Sequence, residues 1–65
     1  VKASAKNAHA IECFGSVEIN KDSDILAVSD KKDADIFCSG AVVNYGAKIN
    51  AKIDAIGGTY NRSED

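Results

Sequence analysis

Proline and tryptophan are absent from this 65-residue chain, histidine occurs once and cysteine twice. Each shortage narrows what the molecule can do. No run of about 18 apolar residues exists, so no helix of this sequence is expected to span a bilayer. No apolar stretch precedes the small-x-small triplets Ala3–Ala5 and Ala8–Ala10, so any signal peptide is expected to have been removed already. There is no basic stripe and no arginine cluster, and without one the phosphate contacts that supply most nucleic-acid affinity are missing. Nucleic acid is therefore not an expected partner.

The chemistry-bearing residues are too sparse for a site. Zinc wants about four Cys, His or carboxylate ligands at close spacing, whereas Cys13 and Cys38 stand far apart and His9 is the lone histidine. His9 and Cys13 lie four apart on a pattern that reads as strand, where they share a face but sit far apart along it. A cysteine nucleophile activated by histidine is accordingly not expected. Asp22-Ser23-Asp24 opens like a calcium loop, yet the sixth position is Ala27 instead of glycine and the twelfth is the short acid Asp33. The acids Asp22, Asp24, Asp30, Asp33 and Asp35 are read as solvated turns, with weak calcium binding as the alternative. No tryptophan accompanies the carboxylates to stack on a sugar, and Gly40, Gly57 and Gly58 form no phosphate-binding motif. No enzyme activity, metal or cofactor is expected.

What the chain does contain is short β-like rhythm. Net charge is −2, and Glu12 to Asp35 concentrates acids, while residues 1–10 carry only Lys2 and Lys6. Residues 1–9 hold no bulky apolar residue after Val1 and read as a tail or a frayed first strand. Ile11, Cys13, Gly15, Val17 and Ile19 then alternate with Glu12, Phe14, Ser16, Glu18 and Asn20, the period of a half-buried strand. Gly15 inside it suits a bulge or a close backbone approach.

Asn20 to Asp24 is a turn, Ile25 to Val28 a short apolar strand, and Asp35 to Cys38 another. Ser39-Gly40 separates the last of these from Ala41 to Asn44. Within 47–56 two periods compete. As strand, Ile49, Ala51, Ile53 and Ala55 face the core; as helix, Ile49, Ile53 and Ile56 share one face with Gly57 as the stop. Strand is preferred because the neighbouring segments are all β-like. "SVEINKDSDI", "GAVVNYGAKI" and "AKINAKIDAI" also share a loose rhythm of solenoid type, without a fixed period.

These signals predict a mainly β domain over residues 10–61, flanked by tails at 1–9 and 62–65: a small antiparallel sandwich or barrel-like sheet of five to six short strands. The alternative is α+β with a helix at about 47–56. A domain this small buries only about 60% of its unfolded surface and usually needs a staple. The candidate staple is a Cys13–Cys38 disulfide, which by closing about 25 residues would stabilise by roughly 3.5 kcal/mol. Such a bridge implies a secreted or periplasmic chain.

Function is then expected to be non-enzymatic binding of an unidentified protein partner by an effector-, toxin- or adhesion-like module, as a monomer. Phe14, Tyr45 and Tyr60 are the candidate anchors, although a core or cross-strand role is favoured for Phe14. The alternative is a structural or assembly protein, or a β-solenoid fragment, that self-associates through strand edges. Asn61-Arg62-Ser63 matches the glycosylation sequon, which makes Asn61 a candidate modification site.

Overall fold

The structure, a computed structural model, describes residues 1–30 and 34–62. Among them are nine strands and no helix: β1 (Lys2–Ala5), β2 (Ile11–Cys13), β3 (Val17–Ile19), β4 (Asp24–Ser29), β5 (Ile36–Cys38), β6 (Val42–Asn44), β7 (Lys48–Asn50), β8 (Ile53–Ala55) and β9 (Thr59–Asn61). Consecutive strands do not pair. Each turns a corner into a different sheet, and pairing joins every third strand in parallel, giving sheets ordered β1-β4-β7, β2-β5-β8 and β3-β6-β9. The chain is thus a three-rung parallel β-solenoid, with β1–β3, β4–β6 and β7–β9 as successive rungs.

Alternation along the sequence decides which residues fill it. Inward positions line up as ladders: Ile11 with Ile36 and Ile53, Cys13 with Cys38 and Ala55, Val17 with Val42 and Thr59, and Ile25 with Ile49. Outward positions form their own ladders, Lys2 with Leu26 and Asn50, Glu12 with Phe37 and Asp54, and Asp24 with Lys48. Ile19, Cys38 and Val42 are buried at the centre, with Val17, Ile25, Ile49 and Ile53 packed against them. Stacking like on like is what allows strands of three residues to persist, since each apolar side chain finds its neighbour one rung away.

Several expectations are corrected by this topology. The sheets are parallel instead of antiparallel, because no connection is a hairpin turn: the residues between strands bend the chain into the next sheet. Nine strands replace the expected five or six, and the region 47–56 is β7, a corner at Ala51-Lys52, and β8, with no helix. The strand phase expected there does hold, with Ile49, Ala51, Ile53 and Ala55 half-buried between exposed neighbours. Lys2–Ala5 run along β4 over four register positions, from Lys2 beside Leu26 to Ala5 beside Ser29.

The disulfide is corrected as well. Cys13 and Cys38 are register partners on β2 and β5, yet both thiols are free. The Cys38 thiol donates to the Gly15 carbonyl at 2.6 Å, and both cysteines serve as small apolar members of a ladder that Ala55 continues. Rung-to-rung hydrogen bonds do the work assigned to the bridge, and the argument for an oxidising compartment loses its premise.

Corners are where the sequence is most constrained. Gly15, Gly40 and Gly57 stack at the corner between the second and third sheets, with the Gly40 amide donating to the Gly15 carbonyl and the Gly57 amide to the Gly40 carbonyl, each at 2.9 Å. A Cβ on Gly40 would lie 2.7 Å from the Gly15 carbonyl carbon and oxygen, and one on Gly57 would lie 2.8 Å from the Gly40 carbonyl carbon. Only a bare backbone fits that approach. At the β6–β7 corner Asn44 closes the turn, its Oδ1 accepting from the Ala47 amide at 2.8 Å.

Candidate functional site

No enclosed chemical site exists among the described residues. The interior cavity of about 60 Å³ is bounded by apolar side chains including Ile11, Ile25, Ile36 and Ile53, far below the roughly 300 Å³ of an ordinary ligand pocket. Shallow depressions run over the outer face of β1 and β4 beside Lys2, Leu26 and Val28. No group of three or more His, Cys, Asp or Glu among the described residues is placed to hold a metal ion. No helix there is long and apolar enough to cross a membrane.

The residues singled out from sequence are dispersed. Phe14 sits at the β2–β3 corner of the first rung and is 83% exposed, so the core role favoured for it is corrected. Tyr45 lies in the β6–β7 corner of the second rung, half-buried, its hydroxyl donating to Glu18 Oε2 at 2.9 Å. Tyr60 projects from β9 of the third rung, with its hydroxyl donating to the Gly57 carbonyl at 3.1 Å. Asn61 is exposed at the end of β9, and the Ser63 that completes its sequon lies outside the described residues, as does Asp33. His9 packs its ring on Phe37, centroids 5.3 Å apart, and its Nδ1 lies 2.9 Å from the Ala34 carbonyl oxygen. It belongs to the connection between β1 and β2 rather than to a thiol.

Asp35 has a structural use. Its Oδ2 accepts from the Lys52 amide at 2.8 Å and its Oδ1 from the Ser29 amide at 2.9 Å. The short corner at Ala51-Lys52 turns the third rung away while β4 still extends, and this carboxylate takes up the amides left there. Those two backbone donors, the Lys52 amide foremost, hold its carboxyl below the usual aspartate range.

The feature that remains unsatisfied is the pair of solenoid ends. In the middle rung Ile36 is 7% exposed, Cys38 0% and Val42 1%. Their ladder neighbours Ile11, Cys13 and Val17 in the first rung, and Ile53 and Ala55 in the third, are only half-buried, and Thr59 is exposed. Along these three ladders only the middle member, with a rung on both sides, is fully covered; Ile19 of β3, also buried, stands on a ladder whose other members are Asn44 and Asn61. The outer edges of β1, β2 and β3, and of β7, β8 and β9, have no strand beside them among the described residues.

The molecule measures 39 × 22 × 15 Å, and three parallel strands at about 4.8 Å spacing set the outer two backbones of each sheet about 10 Å apart.

No protein family, curated protein or solved structure significantly matches the chain. The functional reading rests on the geometry of the ends.

Proposed function

We propose that the chain is a structural module that self-associates by stacking the open ends of its rungs. The observation that carries this reading is the ladder Val17–Val42–Thr59, buried only in its middle member. A further rung at either end would cover apolar ladder residues and satisfy a row of backbone donors and acceptors, the two contributions that hold the three existing rungs together. Exposed strand edges are the usual route to such association.

Sedimentation velocity over a concentration series tests it. The sedimentation coefficient should rise with concentration, and a strictly monomeric protein at millimolar concentration contradicts it. A second reading, a protein-binding module of effector, toxin or adhesion type, draws support from the β2–β3 and β8–β9 corners, where Phe14 is 83% and Ile56 71% exposed. Exposed aromatic side chains are common interface anchors. That reading requires a monomer that loses partner binding on Phe14→Ala.

A further inference from the structure

We propose that the occupant of each open end is a second copy of this chain stacked head to tail, with β1–β3 of one copy on β7–β9 of the next. This orientation rests on the self-association reading and goes beyond it. Three rung-to-rung hydrogen bonds at one corner each occur twice: Ser39 amide to Cys13 carbonyl and Ile56 amide to Cys38 carbonyl, both 3.0 Å; Gly40 to Gly15 and Gly57 to Gly40, both 2.9 Å; and Val17 amide to Ala41 carbonyl at 2.9 Å and Val42 amide to Gly58 carbonyl at 3.0 Å. Continuing each series by one step leaves a group at each end. The first rung offers the amides of Phe14 and Gly15 and the carbonyl of Ser16. The third offers the carbonyls of Ala55 and Gly57 and the amide of Thr59.

Opposite ends bring these together as donor to acceptor three times over, in the register the chain already uses. The Ala55 carbonyl accepts the Gly58 amide at 3.0 Å and the Gly57 carbonyl accepts the Tyr60 hydroxyl at 3.1 Å; a carbonyl oxygen has a second lone pair for a further donor. Like ends, in contrast, would run their strands antiparallel and abandon the register.

Sterics point the same way. The Cβ positions of Gly40 and Gly57 both aim at the backbone of the preceding rung, and that of Gly15 meets nothing within 4 Å. In a head-to-tail stack the Gly57 backbone of the preceding copy would lie where a Cβ on Gly15 would project, so the bare backbone of Gly15 fits that junction as those of Gly40 and Gly57 fit theirs, and its φ of +148° independently favours glycine. The inward ladders continue across such a junction as Ile53 on Ile11, Ala55 on Cys13 and Thr59 on Val17. The outward ladder places Asp54 beside Glu12, a like-charge pair that weakens the junction and that salt screens.

Two cysteine variants read the orientation directly. Glu12→Cys and Asp54→Cys, both at exposed positions, are made separately in a Cys13→Ala/Cys38→Ala background, mixed and oxidised. Ala55 already occupies that ladder position in the third rung, so alanine is expected to be tolerated there. Head-to-tail stacking gives the mixed 12–54 disulfide as the dominant product. A 12–12 or 54–54 product, or a random mixture of all three, overturns the orientation while leaving self-association standing. No cross-link, with the wild type sedimenting as a monomer, overturns both. Glu12→Lys in the wild-type background is the second variant and needs no cysteine. Opposite charge across a head-to-tail junction should tighten association by about threefold or more, and unchanged or weaker association overturns the orientation.

Discussion

Gly40 shows how a single atom limits the design. Alanine there sets a Cβ 2.7 Å from the Gly15 carbonyl and from Ser16 Oγ, and two stacked corners must separate to admit it. Gly40→Ala is expected to destabilise by about 2 kcal/mol and lower Tm by roughly 10 °C, whereas Ala at the exposed neighbour Ser39 should leave the melt within about 2 °C. Equal melts for the two variants would mean that the corners are not in contact. Asp35 belongs to the same scale. Its carboxyl is held below the ordinary range near ~3.9, so the stability it contributes is present above that range and is lost as pH falls through its folded-state value. Asp35→Asn leaves one acceptor for two amides; the variant should melt lower at neutral pH and lose less stability than the wild type on acidification. Parallel curves for the two proteins would remove Asp35 from the cap.

At the scale of the strand, position in the stack matters more than sequence pattern. Val42 and Thr59 occupy one ladder, but Val42 has rungs on both sides and is 1% exposed. Val42→Ala should cost about 2 kcal/mol in a denaturant titration, and Thr59→Ala should stay within about 0.5 kcal/mol; similar losses at both would contradict the rung order. Alternation made most strands and their faces legible in the sequence. Ile11 through Ile19 alternate as an inward set that the structure keeps, and Ser39-Gly40 marks a break in the sequence as it does between β5 and β6. Pairing was not legible, because a period of two names a face and not a partner. The repeat itself was hidden by unequal corners. Lys6 to Ala10 join the first two sheets in the first rung, but Ala51-Lys52 suffices in the third. "AKINAKIDAI" therefore looks like a third copy of "SVEINKDSDI", while the residues that stack on Val17–Ile19 and Val42–Asn44 are Thr59–Asn61. Gly15, read as a bulge or close approach, proves to be a corner where backbones meet.

For the whole molecule, the ends are properties of topology, so no motif announced them. The predicted bridge would have closed the energetic gap of a small domain; instead Ile36, Cys38 and Val42 of the middle rung are buried while their ladder partners in the outer rungs are not. The outward ladders add a dependence on ions. Because Asp54 and Glu12 meet at a head-to-tail junction, association should strengthen as salt rises toward the range where surface charges are screened. Steady weakening with salt, followed by light scattering, would contradict that pairing. The most direct measurement is amide hydrogen exchange at low and high protein concentration, resolved by strand. Stacking predicts that β1–β3 and β7–β9 gain protection with concentration while β4–β6 stay protected throughout. Protection that is the same at both concentrations in the outer rungs would show that the ends stay open, and that this solenoid does not assemble through them.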